Sequence, residues 1–315
     1  MSYLKRKIKA RSENAQRPIE SVAPKLEITN ALWGQDGFPF KSTYLDGLAA
    51  HYGAGIRLAD FSSDPESARR AINTWAGNHT NNRITELFHP GVLDEQTRFV
   101  LANAAYFKAT WADPFPEEGT EQKPFTALDG STTQVPIMHI FERLPYASGE
   151  KYQAVELPYV GDEVGMVVVL PEAGRFEAFE RDLNAKRLQE IFETLDIEHG
   201  RLGLPKFRQE STLDLDKVLP DMGIRTAFGP QADFGRLYEP DGKPNLQIGA
   251  VLHDAYVSID ERGTEAAGAT GVEGQGIGMF DPFEMIVDRP FLFFIRDRST
   301  NTVLYIGRIA KVTGE

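Results

Sequence analysis

Six histidines, His51, His79, His89, His139, His199 and His253, are scattered through the 315 residues, and none forms the His-Glu-x-x-His pair with which a helix presents zinc. No Gly-x-Ser-x-Gly run is present to expose a nucleophilic serine on a strand-to-helix turn. With no cysteine, thiol catalysis, disulfides and cysteine-held metals are excluded together. Gly274-Gln275-Gly276-Ile277-Gly278 has the look of a phosphate cradle, but Phe280, Asp281 and Pro282 follow where a helix N-terminus would be needed. Asp60, Asp64 and Glu66 read as the solvated start of a helix with Pro65 in its first turn, not as metal ligands. Nothing assembles a nucleophile, a base and an orienting group, so the chain does not read as an enzyme, and no cofactor or metal is expected. His253 stands apart, inside the apolar strand candidate 246–259. Its ordinary reading is a satisfied strand residue; the alternative is a hydrogen-bonding switch between neighbouring strands.

A different kind of chemistry is offered by Glu261-Arg262-Gly263-Thr264-Glu265-Ala266-Ala267-Gly268-Ala269-Thr270. Small residues in a row usually make a linker. Laid out as a strand, however, this segment sorts onto two faces. Thr264, Ala266, Gly268, Thr270 and Val272 form an uncharged face, while Glu265 and Glu273 fall on the other. The segment is a loop that can also become a half-buried strand.

The flanking pattern supplies elements to hold such a segment. Residues 26–33 alternate apolar and polar as a half-buried strand does, residues 41–52 read as a helix, and 66–81 place Ile72, Trp75 and Ala76 at helical spacing. The strongest central-strand candidate is 98–111, rich in Phe99, Val100, Leu101, Tyr106 and Phe107. Residues 152–158 and 165–170 read as neighbouring strands; Met166-Val167-Val168-Val169-Leu170 is apolar throughout, as expected for a strand covered on both faces. One helix is expected over 176–195, a strand over 201–207, a short helix over 212–222 and a long strand over 245–260. Two apolar strands, 291–296 and 302–312, end the chain. Strands and helices interleave without a regular repeat, which points to an α+β fold with a large sheet.

A net charge of -12 argues against general affinity for nucleic acid or an anionic membrane surface, and no apolar run approaches the length needed to span a bilayer. The first eleven residues are basic, through Lys5, Arg6, Lys7, Lys9 and Arg11, and lack the apolar core of a signal peptide. Residues 1–25 read as a polar N-terminal segment and 26–315 as one domain.

Several separated segments resemble the serpins, a family of suicide inhibitors of serine and sometimes cysteine proteases. Residues 258–268, Ser-Ile-Asp-Glu-Arg-Gly-Thr-Glu-Ala-Ala-Gly, are similar to the family's loop hinge in its inhibitory form. Residues 285–295 fit its C-terminal signature around Asp288-Arg289-Pro290-Phe291. Residues 103–111 resemble the central strand ending at Trp111, where insertion begins; Ile72-Asn73-Thr74-Trp75, with Thr80 and Ile84, resembles the helix across the main sheet. Leu204-Pro205-Lys206-Phe207 matches a further short motif.

The resemblance implies a serpin fold with a large central mixed sheet, smaller sheets and surface helices. It implies no enzyme but a monomeric, extracellular inhibitor whose exposed loop is bait. A protease would form an acyl-enzyme with the loop, and the cleaved loop would insert as a strand in the main sheet. Glu261, Gly263, Thr264, Glu265, Ala266, Ala267, Gly268 and Ala269 would form the hinge, and Asn103, Trp111 and His253 the region where the sheet opens. Insertion must not strand a charge on the buried face, so a bulky or charged residue at Thr264 is expected to slow it. Counting forward from Glu261 by the family's spacing puts the scissile bond between Ile277 and Gly278; counting back from Pro290 puts it between Met279 and Phe280. An apolar residue before the cut implies an elastase-, subtilisin- or chymotrypsin-like serine protease as partner. The alternative is a non-inhibitory serpin-fold binding or structural protein. One departure stands out: the family's N-terminal helices and core strand have no counterpart before residue 26, so the scaffold is expected to be truncated at its N-terminal side. The missing part includes the serine-bearing segment that His253 and Asn103 would contact.

Overall fold

A computed structural model describes residues 24–52, 55–238, 246–264 and 282–313. The chain is α+β. Strands β1 (Lys25–Gln35), β2 (Arg57–Ala59) and β3 (Phe99–Thr110) come first, with helix α1 (Ser42–Tyr52) between β1 and β2 and α2 (Pro65–His79) between β2 and β3. β4 (Glu121–Thr126), β5 (Thr132–Gly149), β6 (Tyr152–Pro158) and β7 (Val164–Pro171) follow. Then come α3 (Phe176–Asp182), α4 (Ala185–Glu193), β8 (Asp196–Pro205), β9 (Phe207–Asp214) and α5 (Leu215–Asp221). β10 (Ala250–Asp260), β11 (Gly263–Thr264), β12 (Phe283–Ile286), β13 (Phe291–Asp297) and β14 (Thr302–Ile309) complete the order.

The first sheet runs β2-β1-β3-β11-β10-β9. β3 is its spine, because alternate residues face two separate cores. Ala105, Phe107 and Ala109 point into the core shared with the second sheet, together with Val257 and Ile259 of β10. Val100, Ala102, Ala104 and Tyr106 point the other way, with Leu252 and Tyr256, against Ile72, Trp75 and Ala76 of α2. That helix begins as the sequence indicates: the Asp64 side chain accepts from the Ser67 amide, and Pro65 needs no amide partner. Asp60 accepts hydrogen bonds from Gln35 and Ser62 beside this start.

The second sheet runs β12-β8-β5-β6-β7-β13-β14, with β4 added along β5. β7 is buried along its whole length, as its unbroken apolar run indicates. Val164, Met166, Val168 and Leu170 face the shared core, while Val167 and Val169 pack under Phe176, Phe179, Ile191 and Phe192 of α3 and α4.

Three elements differ from the sequence reading. The single helix expected over 176–195 is two, because Asn184 leaves helical geometry and its side chain caps α4 by accepting from the Arg187 amide. The strand expected over 201–207 is two longer strands on either side of Lys206, which belongs to neither and whose amide donates to the Pro136 carbonyl. β5, the longest strand, has no clean alternation; Pro136, His139, Glu142, Arg143 and Pro145 interrupt it. Pairing with β4, β8 and β6 fixes it as a strand where local pattern does not.

Candidate functional site: a wedge strand between β3 and β10

Over their N-terminal parts β3 and β10 are direct parallel neighbours, from Val100 beside Ala250 to Tyr106 beside Tyr256. Beyond Tyr106 the two strands part. β11 fills the fork, antiparallel to both: Thr264 lies between Ala109 and Ile259, and Gly263 between Thr110 and Asp260. At this end the first sheet runs β1-β3-β11-β10-β9; at the other, β2 is added beside β1 and β3 pairs β10 directly. The chain turns from β10 into β11 at Glu261 and Arg262. The turn is tied by Asp260, whose carboxylate accepts from the amides of Arg262 and Gly263. Gly263 has φ +151°, and a Cβ there would run into the backbone carbonyl of Ala109 and lie 2.8 Å from Thr110 Cα. Only glycine fits this approach without strain.

Thr264 is fully buried, and its Oγ1 lies 2.7 Å from the Tyr159 hydroxyl. The Tyr159 ring is held by Trp111, stacked at 4.5 Å, and by Phe107 edge-on at 5.1 Å. Burial pushes the Tyr159 phenol well above its ordinary range, so it stays neutral while the Thr264 hydroxyl shares a hydrogen bond with it. Trp111 is bound to the turn twice, by its amide to the Arg262 carbonyl at 2.9 Å and by its indole N–H to the Asp260 carbonyl at 3.0 Å.

Glu261 anchors the turn on its outer side. Its carboxylate accepts from Lys206 Nζ at 2.6 Å and from the Thr120 hydroxyl at 2.7 Å, and its backbone carbonyl accepts from the Phe115 amide. Burial pushes the carboxyl up, but the bonds from Lys206 and Thr120 outweigh it and hold Glu261 below the usual carboxylate range. Arg262 reaches Glu117 at 2.7 Å. These groups line an open cleft of about 430 Å³ at the mouth of the fork.

Further along the seam, Asn103 and His253 are direct register partners, and His253 Nδ1 is hydrogen-bonded to Asn103 Oδ1. Asn103 Nδ2 donates in turn to Asn30 Oδ1 at 2.6 Å, so a polar row crosses β1, β3 and β10. Burial holds the His253 imidazole below its ordinary value, favouring the neutral ring.

The residues singled out in the sequence thus fall into two groups. Trp111, Glu261, Gly263 and Thr264 meet at the fork, and Asn103 and His253 meet in the closed seam. Glu265, Ala266, Ala267, Gly268, Ala269, Ile277, Gly278, Met279 and Phe280 lie outside the described residues, as does the Gly274–Gly278 run. Tyr159, Lys206 and Thr120 complete the fork, and sequence reasoning did not assign them to it. Lys206 lies in the Leu-Pro-Lys-Phe motif, whereas Tyr159 and Thr120 carry no local signal.

The serpin (serine protease inhibitor) family model matches residues 2–312. An uncharacterized serpin-like protein of Thermococcus kodakarensis is 38% identical over 287 residues, 90% of this chain and 66% of that relative. The leukocyte elastase inhibitor of Bos taurus is 34% identical over 90% of this chain and 77% of its own length. The chain therefore spans about two thirds to three quarters of these relatives. Among solved structures, uncleaved ovalbumin superposes with a TM-score of 0.83 at 27% identity, over 97% of this chain and 78% of its own. Thyroxine-binding globulin in complex with thyroxine gives the same score and identity over 99% and 81%. With the family model matching residues 2–312 and the fold shared, this chain is a member of the serpin family.

Proposed function

We infer that this serpin is a suicide inhibitor of serine proteases, working by insertion of its cleaved loop into the first sheet. The observation that carries the reading is the fork: Thr264 already sits as a strand between β3 and β10, and below it the same two strands form a closed parallel seam. An antiparallel strand continuing from Thr264 would satisfy the backbone groups of both neighbours, which face each other along the seam.

The register extends without adjustment. Advancing six residues from Thr264 and stepping back six on each neighbour sets Thr270 between Asn103 and His253. Thr264, Ala266, Gly268, Thr270 and Val272 then share the face of Ala109, Phe107, Ala105, Asn103 and Leu101, which packs on the inner core over its first part. That face carries no charge, so burial strands none. Glu265 falls on the opposite face beside Lys108, a residue whose other neighbour is Lys25. Insertion on this register brings an acid beside a pair of like charges and parts the Asn103–His253 hydrogen bond. A serine protease acylated by the loop would be carried along as the strand forms. Glu261, Gly263 and residues 264–269 act as the hinge, with the cleaved bond at Ile277–Gly278 or at Met279–Phe280. The free protein is expected to be a monomer.

A second reading, a serpin-fold binding or structural protein, is favoured by Gly271, Gly274, Gly276 and Gly278, which raise the entropic cost of forming the strand. Incubation with elastase-, subtilisin- and chymotrypsin-like proteases separates the two. An inhibitor gives a denaturant-resistant complex at the summed mass; clean loop cleavage without complex, by every protease tried, refutes inhibition.

A further inference from the structure

The closed seam carries a second ionisable residue that the insertion reading does not use. Asp254 follows His253 on β10 and faces the opposite side of the sheet, beneath α2. It is 1% exposed. Its register partners are Ala104 on β3 and Thr212 on β9, whose side chain favours the charged carboxyl. Oδ1 has no hydrogen-bond partner among the described residues. The ionisable groups around it are few. Glu210 of β9 opposes its charge and His89, from the segment after α2, favours it. The guanidiniums of Arg83 and Arg208 lie over the Tyr256 ring, two residues along β10 on the same face. No side chain of β3 opposite it is charged, because Ala102, Ala104 and Tyr106 line that side.

We propose that Asp254 is a proton-operated latch on the seam: neutral, it keeps β3 and β10 together, and ionised, it favours the parted strands that admit the loop. This rests on the insertion reading for its consequence, but concerns the seam itself. A carboxylate held dry with one oxygen unpartnered is costly, and parting the strands gives it water. The protonated acid has no such preference. Burial raises the Asp254 carboxyl to about 6, against an ordinary value near 3.9 when water reaches it. The group is therefore fully neutral, and the seam tightest, below the ordinary value; that contribution is lost as pH rises through the raised one. From these two values, opening is expected to be about tenfold more favourable at pH 7 than at pH 5. His253 works in the opposite sense, since its protonation at low pH would favour parting.

The test needs no protease. A labelled peptide of residues 265–275 is offered to the intact protein, and its uptake rate is followed from pH 5 to pH 7. In His253→Gln, which removes the opposing titration, the expected rate rises about tenfold across that range. It stays flat and low in the double variant Asp254→Asn/His253→Gln. A flat profile in His253→Gln, or the same rise in the double variant, overturns the proposal. If the double variant does not fold, amide hydrogen exchange at Ala104 and Ala255 of His253→Gln measures the same opening directly. Corrected for intrinsic rates, opening there should be about tenfold greater at pH 7, and equal opening at both values overturns it. A protein that traps no protease yet takes up peptide with this profile loses the inhibitor reading and keeps the latch.

Discussion

The Thr264 hydroxyl and the Tyr159 hydroxyl lie 2.7 Å apart, both buried, at the point where β3 and β10 separate. Each is the other's partner, so removing one leaves a dry hydroxyl. Thr264→Val and Tyr159→Phe are each expected to lower stability by about 1–3 kcal/mol. The double variant should lose less than the sum, because it leaves neither group stranded. Urea denaturation of the four proteins measures the coupling; full additivity would show that the two hydroxyls act independently.

Glu261 and Lys206 pin the turn that launches β11. Because the folded carboxyl is held below its ordinary range, the contribution is present above the unfolded value, near 4.3, and fades as pH falls through the lower folded one. Lys206 is about a third exposed, which screens the pair, so Glu261→Gln should cost about 1 kcal/mol at neutral pH. Thermal melts between pH 3 and pH 7 should show a shallower acid decline in Glu261→Gln than in the parent. Parallel declines would deny the pair a role.

Asn103 bridges Asn30 and His253, so Asn103→Ala removes a partner from both. A loss of about 1–2 kcal/mol is expected. His253 is kept neutral by burial, so its contribution is present above its unfolded value of about 6.5 and declines as pH falls below that. His253→Gln should remove this part of the pH dependence. Denaturant titrations at pH 5.5 and pH 7.5 decide, and an unchanged difference between them in His253→Gln would contradict the assignment.

The position of the scissile bond follows from two spacings that disagree by two residues. Mass spectrometry of the peptide released when an elastase-like protease cleaves the loop should show a new N-terminus at Gly278. Release at Phe280 would select the alternative count, and a first cut before Ala269 would remove the strand the mechanism needs.

What could be read from the sequence was what repeats locally. The apolar run of β7 and the Asp64-Pro65 start of α2 each announce their structure within a few residues. The fork was only half legible. Thr264 and Trp111 carry local signals, but Tyr159 and Thr120 reach the turn only through pairings that join distant parts of the chain. β5 was hidden for the same reason, since its prolines and charged residues are tolerated by neighbours on both sides. Asp254 carries no local signal of burial; the tertiary fold, with α2 packed over that face of the sheet, makes it a buried residue.

The central claim is that the loop becomes a strand once it is cut. Cleaving it within 277–280 with a catalytic amount of protease, then melting intact and cleaved protein side by side, tests this most directly. Insertion would close the fork along the whole seam and should raise the melting temperature by tens of degrees, given that each 1 kcal/mol shifts a domain of this size by about 2–4 °C. A cleaved protein that melts with the intact one would contradict it.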